Sequence, residues 1–185
     1  MNRIQKIFQD RTEKVIPFLT AGYPSKKDTA QMVLAAEKSG AAMVELGMPF
    51  SDPLADGPIV QAASQKAIEN GVNISWILEV VTEIRRESEI PLALMGYINP
   101  IINYGIGKFI HDCKLAGVDG LIIPDLPPEE ADELLQVAND AGICIILLVA
   151  PNTGNERIRE ISKLAGSLIY CVAILGITGE TGANR

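Results

Sequence analysis

The sequence predicts an α/β fold in which parallel strands alternate with helices, and three observations carry this prediction. Apolar β-type runs alternate with longer amphipathic runs, and they begin 23 to 28 residues apart except for one interval of 49. The strands are almost continuously hydrophobic, as in Ile-Cys-Ile-Ile-Leu-Leu-Val at 143–149, which is typical of strands covered on both faces. Polar residues collect at the carboxyl ends of the strands, where βα folds build their functional sites.

Six strands and six helices follow in chain order. The strands are predicted at 15–20, 43–47, 92–97, 120–124, 143–149 and 168–172. The helices are predicted at 26–39, 59–69, 74–87, 106–116, 129–141 and 155–164. Ser25 is expected to cap the first helix, and Pro127-Pro128 precedes the fifth. The long interval between the second and third strands accommodates one extra helix.

A barrel and an open doubly wound sheet both fit this alternation. A dinucleotide fold would carry Gly-x-Gly-x-x-Gly after the first strand, but Thr20-Ala-Gly-Tyr-Pro24 stands there, which favours the barrel. A closed (β/α)₈ TIM barrel takes about 250 residues. We therefore expect a single domain over residues 1–185 with only about six βα units, and with the last two units absent.

The composition narrows the function classes. The 185 residues include 23 acidic and 16 basic side chains, a net charge of −7, which disfavours nucleic-acid binding and basic membrane attachment. Three widely spaced cysteines and no secretory leader predict the cytoplasm. The one histidine, His111, lies in a helical pattern and is expected on a polar face, so no metal site is predicted.

The clearest local feature is Met43-Val-Glu-Leu-Gly-Met-Pro-Phe-Ser-Asp-Pro-Leu-Ala-Asp-Gly-Pro58. Strand alternation places Glu45 on one face with Met43 and Gly47, so its carboxyl should point into the barrel or its mouth. A partly desolvated carboxyl has a raised pKa, which suits general acid and base catalysis near neutral pH. A structural glutamate satisfied by backbone amides is the alternative.

Asp56 follows in a loop that contains Pro53, Gly57 and Pro58, so a second carboxylate is expected over the same rim. A turn-forming role for Asp56 is equally open. The glycine-rich segment 176–182 could present backbone N–H groups to an anion, or form a lid. Phe18 and Tyr170 could wall an aromatic ligand, although aromatic side chains on strands more often fill the core.

Four segments together resemble one family, the α subunit of tryptophan synthase. They are Pro17-Phe-Leu-Thr-Ala-Gly-Tyr-Pro24, the run from Val44 to Pro58, Pro124-Asp-Leu-Pro127 and Gly176-Ile-Thr-Gly179. The resemblance implies a (β/α)₈ barrel that cleaves indole-3-glycerol phosphate to indole and glyceraldehyde 3-phosphate, a retro-aldol reaction without a cofactor.

The resemblance also implies roles for individual residues. Glu45 matches the catalytic general acid and base, and Asp56 matches the carboxylate that accepts the indole N–H. The substrate-side positions that match are Phe18, Leu94, Tyr170, Thr178 and Gly179. The partner in this family is a pyridoxal-phosphate β subunit in an αββα complex, so pyridoxal phosphate is expected in the partner and no cofactor in this chain. Asp52, Pro53 and Asn99 resemble the segments that face the partner.

Three alternatives remain at this stage. A non-catalytic partner would activate a β subunit without releasing indole, and a stand-alone indole-3-glycerol-phosphate lyase would need no β subunit. A different phosphate-binding barrel, such as a sugar-phosphate isomerase, conflicts with the long match between Glu45 and Pro58.

Overall fold

The computed structural model describes residues 1–9, 12–165 and 168–173. Its six strands are all parallel and lie in chain order across the sheet. They are β1 (Phe18–Thr20), β2 (Val44–Gly47), β3 (Leu92–Met95), β4 (Gly120–Ile122), β5 (Cys144–Val149) and β6 (Ile169–Cys171). A doubly wound sheet reverses its strand order at a switch point, whereas this sheet winds in one direction only. The strand order is therefore that of a barrel, and no pairing among the described residues joins β1 to β6.

Eight α-helices lie among the described residues. They are α1 (Arg3–Ile7), α2 (Thr29–Lys38), α3 (Pro58–Glu69), α4 (Ile74–Ile84), α5 (Ile98–Tyr104), α6 (Ile106–Ala116), α7 (Asp132–Ala141) and α8 (Asn155–Leu164). Short 3₁₀ turns, Lys26–Asp28 and Pro128–Glu130, precede α2 and α7. In the part of the chain that is described, no helix is long and apolar enough to cross a membrane.

The predicted order of elements is confirmed, and the differences lie at element ends. The helices predicted at 106–116 and 155–164 have the predicted bounds. The strand predicted at 15–20 begins only at Phe18, since Pro17 has no N–H to donate to a neighbouring strand. The prediction that Ser25 caps the first helix is wrong, because the Ser25 hydroxyl donates a hydrogen bond to the Asp28 carboxylate (2.6 Å) and bonds no helix N–H.

Two helices, α1 and α5, were not predicted from the sequence. Helix α1 has five residues and is held by a reciprocal capping box between Asn2 and Gln5. Helix α5 directly follows β3, and the Asp125 carboxylate accepts its first N–H, from Ile98 (3.0 Å). Such short helices show too few turns for a periodic pattern, and their termini depend on the caps.

The core has two layers, one on each face of the sheet. The outer layer packs strand residues such as Leu46 and Leu121 against helix residues such as Ile77 and Phe109. The inner layer consists of Met43, Ala93, Ile122, Cys144 and Ile146 from the strands with Ile4 from α1. Burial on both faces accounts for the nearly continuous hydrophobic strands.

Helix α1 covers the amino-terminal end of the inner layer. Ile4 is fully buried and approaches β4 at Gly120, where a Cβ would lie 2.7 Å from the Ile4 Cδ1. A side chain at that position would therefore displace Ile4. The opposite end of the sheet, where the strands have their carboxyl termini, is free to hold a site.

Candidate active site

Glu45 lies on the interior face of β2. The neighbouring residues Val44 and Leu46 pack into the helix-facing layer, and Glu45 stands opposite Phe18 of β1 in the parallel register. Glu45 is 8% exposed, and burial raises the pKa of its carboxyl from 4.5 to about 7. A carboxyl with that pKa can both donate and accept a proton near neutral pH.

Tyr170 of β6 faces the same interior. Its pKa is raised by burial and, to a lesser extent, by the charge of Glu45, which shows that the phenol and the carboxyl lie within electrostatic reach of each other. Tyr170 also packs against the inner core layer. The structure therefore brings Tyr170 and Glu45 to the same interior region.

Asp56 lies in the loop between β2 and α3. Its N–H donates to the Pro53 carbonyl (3.3 Å), and its own carbonyl accepts from the Gln61 side chain (2.9 Å). Burial raises the pKa of the Asp56 carboxyl, whereas a hydrogen bond from the Tyr97 hydroxyl opposes that rise. The loop thus holds a half-buried carboxyl beside the Tyr97 side chain.

A small cleft opens beside Asp56 at the carboxyl ends of the strands, with a cavity volume of about 20 Å³. Most of its lining is apolar or glycine, and Asp56 is its one ionised side chain among the described residues. The lining residues are Phe18, Gly47, Met48, Asp56, Val60, Ser64, Met95, Gly96, Tyr97 and Pro124. Glu45 does not line this cleft, but it lies two residues before Gly47 on the same face, one layer deeper in the sheet. An apolar cleft next to two carboxyl groups has the composition that is typical of small-molecule sites.

Larger cavities lie at the other end of the sheet, around Asn2 and Gly142. They contain none of the site residues predicted from the sequence. Functional sites of βα barrels lie at the carboxyl ends of the strands, so we assign the site to the smaller cleft.

The prediction for Leu94 is wrong. Leu94 is fully buried in the helix-facing layer, because strand alternation turns it away from the interior. Its neighbour Met95 packs against the inner layer and lines the cleft. Counting alternation along β3 from Ala93, an interior residue, places Met95 on the interior face.

Phe18 lines the cleft and is 36% exposed. Its ring lies across β2 at Gly47, where a Cβ would come within 2.5 Å of the Phe18 Cζ. Gly47 therefore leaves the space that the ring occupies. Thr178, Gly179 and the rest of the glycine-rich segment lie outside the described residues.

The three residues predicted to face a partner lie on the same rim. Asp52 and Asn99 are exposed, and Pro53 is half-buried. Two large apolar side chains accompany them, Leu54 at 88% and Ile102 at 55% exposure. The rim therefore combines exposed apolar and polar side chains beside the mouth of the cleft.

Four residues of the site were missed: Met95, Tyr97, Val60 and Ser64. Tyr97 follows β3 directly, so the rule that polar groups at strand ends form the site would have found it. Val60 and Ser64 lie four residues apart on α3 and so share a helix face, but no pattern in the sequence shows that this face meets the cleft. Among the described residues, no group of three His, Cys, Asp or Glu side chains could hold a metal ion.

Sequence comparisons with known proteins all match one family. The family model for the tryptophan synthase alpha chain matches residues 4–185. The tryptophan synthase alpha chain of Petrotoga mobilis is 48% identical over 183 residues, covering 99% of this chain and 70% of the relative. That of Caldanaerobacter subterraneus subsp. tengcongensis is 49% identical, covering 97% of this chain and 70% of the relative.

Solved structures agree with the sequence relatives. The tryptophan synthase alpha chain from Legionella pneumophila superposes with a TM-score of 0.89 at 38% identity, covering 94% of this chain and 67% of that one. A chain from the tryptophan synthase a2b2 complex of Pyrococcus furiosus superposes with a TM-score of 0.83 at 40% identity, covering 87% of this chain and 68% of that one.

Proposed function

This chain belongs to the tryptophan synthase alpha chain family, and we propose that it performs the carbon–carbon lyase reaction of that family. In that reaction, indole-3-glycerol phosphate is cleaved to indole and glyceraldehyde 3-phosphate. One observation carries the proposal: a buried carboxyl with a pKa of about 7, Glu45, lies next to an apolar cleft that holds a second carboxylate, Asp56. The cleavage requires one group that moves protons and one that stabilises positive charge.

Glu45 is the proton-transfer group in this proposal. The protonated carboxyl donates its proton to the ring carbon that bears the glycerol chain, which leaves a positive charge on the ring nitrogen. The Glu45 carboxylate then removes the proton from the hydroxyl on the adjacent chain carbon. The oxygen lone pair forms the aldehyde C=O, the carbon–carbon bond breaks, and its electron pair restores the aromatic ring. Glu45 ends protonated, so no proton is consumed.

Asp56 stabilises the charge that develops on the ring. Its carboxylate accepts the hydrogen bond of the ring N–H and faces the positive charge during the protonated stage. This role requires an ionised carboxylate throughout, whereas the role of Glu45 requires a carboxyl that changes state. Burial raises the pKa of both carboxyls, to about 7 for Glu45, but only at Asp56 does a neighbouring hydroxyl, that of Tyr97, oppose the rise and favour the ionised form.

The aromatic part of the substrate fits the apolar lining of the cleft. Phe18 and Met95 offer flat and polarisable surfaces to a ring, and Tyr170 borders the interior beyond Glu45. We propose that Thr178 and Gly179 act at the loop and phosphate end of the substrate, as the resemblance of Gly176-Ile-Thr-Gly179 implies.

A pyridoxal-phosphate β subunit is the partner that we propose. The related chain from Pyrococcus furiosus comes from an a2b2 complex. In this chain, the exposed Leu54 and Ile102 lie with Asp52, Pro53 and Asn99 on the rim of the cleft, as expected of an interface that buries apolar area. Pyridoxal phosphate belongs to the partner. We further propose a cytoplasmic location, since Cys113 and Cys171 are free thiols and Cys171 is exposed.

The activity is tested by incubating the purified protein with indole-3-glycerol phosphate, alone and with a β subunit from a related organism. We expect release of indole and glyceraldehyde 3-phosphate in equal amounts, with a higher rate when the β subunit is present. Glu45→Gln should lower indole release by roughly 10²- to 10⁴-fold, the contribution typical of general acid and base catalysis. The substrate should still bind to this variant.

Two results would contradict the proposal. Substantial turnover by Glu45→Gln would remove Glu45 from the proton-transfer role. Stimulation of the β subunit by a wild-type protein that releases no indole would show a binding role without catalysis. The partner surface is tested separately with Ile102→Asp, which should weaken binding of the β subunit in calorimetry, with the exposed Leu115→Asp on the outer face of α6 as the matched control.

A further inference from the structure

Tyr97 is almost completely buried, at 5% exposure, at the point where β3 ends and α5 begins. Its hydroxyl accepts a hydrogen bond from the N–H of Ala55 (2.9 Å), the residue before Asp56, and Tyr97 and Asp56 line the same cleft. Burial and the neighbouring Asp56 raise the pKa of Tyr97 to about 12. The phenol therefore keeps its proton at all working pH values, so it is available as a hydrogen-bond donor.

The Tyr97 ring also supports the loop that carries Asp56. The ring packs against Phe50 with 5.3 Å between ring centroids. Phe50 lies near the start of the loop, and Ala55 and Asp56 lie near its end. Tyr97, the residue that precedes α5, thus contacts both ends of the loop that follows β2.

The backbone of the loop forms a turn through the Asp56 N–H and the Pro53 carbonyl, and Gln61 ties the Asp56 carbonyl to α3. These bonds fix where the main chain of Asp56 lies, but they do not orient its carboxyl. The Tyr97 hydroxyl, which bonds the neighbouring Ala55 N–H and lines the same cleft, is the group placed to donate to that carboxyl, and it opposes the rise in the pKa of Asp56.

We propose that Tyr97 is a positioning residue for Asp56. It holds one carboxylate oxygen through its hydroxyl proton, leaves the other oxygen free for the substrate N–H, and keeps the loop at the mouth of the cleft. This inference rests on the function proposed above, in which Asp56 faces the ring nitrogen. A positioning role differs from a structural one because it changes the ionisation of Asp56 and the rate of the chemical step, and not only the stability of the loop.

The test compares Tyr97→Phe with wild type and with Tyr104→Phe. The phenylalanine at position 97 keeps the ring that packs against Phe50, so folding is checked by thermal melting and expected to be retained. Tyr104 is the matched control, because its hydroxyl also bonds an aspartate, Asp112 (2.8 Å), on helices away from the cleft. Rates of indole release are measured for all three proteins across the pH range.

For Tyr97→Phe we expect kcat to fall roughly 10- to 100-fold, as expected for loss of a hydrogen bond to a charged group, with KM little changed. The acid limb of the kcat profile should also move to higher pH, because the carboxylate of Asp56 loses the donor that favours its charged form. The substrate phosphate titrates identically in both proteins, so a difference between their profiles belongs to the enzyme. Tyr104→Phe should match wild type in both respects.

Several results would overturn the proposal. They are an unchanged kcat in Tyr97→Phe, a lower kcat with an unmoved acid limb, or an equal loss in Tyr104→Phe. A second measurement does not depend on turnover. In carbon-13 NMR titrations of aspartate-labelled protein, with Asp56→Asn to assign the signal, the pKa of Asp56 should be higher in Tyr97→Phe than in wild type. If the wild-type protein releases no indole, the proposed function fails, and this titration alone decides whether Tyr97 sets the state of Asp56.

Discussion

At the level of single residues, Glu45 links catalysis to stability. Its pKa is about 7 in the folded protein against an ordinary value of 4.5, because burial disfavours the charged form. Between these two pH values the folded state binds more protons than the unfolded state, so the free energy of unfolding falls as pH rises. The contribution of the neutral carboxyl is complete below pH 4.5 and is lost as pH rises through 7.

Glu45→Gln should remove this pH dependence. Glutamine cannot ionise, so between pH 4.5 and 8 the stability of the variant relative to wild type should rise by up to about 3 kcal/mol. Urea denaturation at several pH values measures the difference, and Glu69→Gln on the exposed face of α3 is the matched control. If the stability difference between Glu45→Gln and wild type is the same at both ends of the range, Glu45 does not have a raised pKa.

The Glu45 carboxyl also determines how activity depends on pH. Glu45 must be protonated to donate to the ring carbon, so kcat/KM should fall as pH rises through about 7. Asp56 must be ionised, so an acid limb should lie at lower pH. Rates of indole release at pH 5 to 9 measure both limbs. A kcat/KM that stays constant from pH 6 to pH 9 would show that the protonated form of Glu45 is not required.

At the level of elements, the pairing of β1 with β2 forms one wall of the cleft. Gly47 stands opposite Thr20 in the register, and the Phe18 ring crosses β2 in the space that Gly47 leaves. Gly47→Ala would place a Cβ 2.5 Å from the ring, which is closer than real contacts allow. Either the ring or the strand must therefore move.

We expect Gly47→Ala to destabilise the fold by about 1 to 3 kcal/mol, the usual cost of overpacking, and to raise KM for the substrate. Phe18→Leu, which removes most of the ring, should relieve the clash. Thermal melting of both single variants and of the double variant gives a double-mutant cycle for the stability of the fold. If the two effects on stability add without coupling, the clash between Gly47 and Phe18 is not the cause.

At the scale of the whole molecule, a buried ion cluster joins distant parts of the chain at the amino-terminal end of the sheet. Asp119 is 3% exposed and bonds Arg3 of α1 (3.0 Å), Arg85 after α4 (2.8 Å) and the N–H of Leu92 (2.9 Å). The cluster therefore attaches α1 to α4, and both of them to the central strands. It lies at the end of the sheet away from the cleft.

Asp119→Ala should destabilise the fold by about 3 to 5 kcal/mol, because Arg85 would remain buried without its partner. Urea denaturation measures this loss. Asp112→Ala, which removes the exposed ion pair with Lys108, should cost much less. The pH dependence of indole release should be the same as in wild type in any Asp119→Ala protein that remains folded. If Asp119→Ala and Asp112→Ala lowered the free energy of unfolding by similar amounts, the buried ion cluster would not be a major source of stability.

The features that could be predicted are those that neighbouring residues define. The bounds of α6 and α8 follow from helical periodicity over eleven and ten residues. The interior position of Glu45 follows from alternation within one strand. The same alternation was available for β3, but the match to the family was placed on Leu94 when Met95 faces the interior. The prediction for Leu94 therefore failed because the match to the family was not combined with the strand alternation, which defines the direction of each side chain.

The sequence by itself determined the alternation of strands and helices, the burial of the strands on both faces, and the two carboxyl residues Glu45 and Asp56 as candidates. Only the tertiary structure decided that the strands lie in chain order across the sheet without reversal. It also decided two long-range contacts: Tyr97 bonds Ala55, 42 residues away in the chain, and Asp119 forms ion pairs with two arginines. The physical reason is the range of the interactions. Periodicity and turn chemistry act between residues a few positions apart, whereas these contacts depend on strand register and loop packing, which only the assembled fold defines.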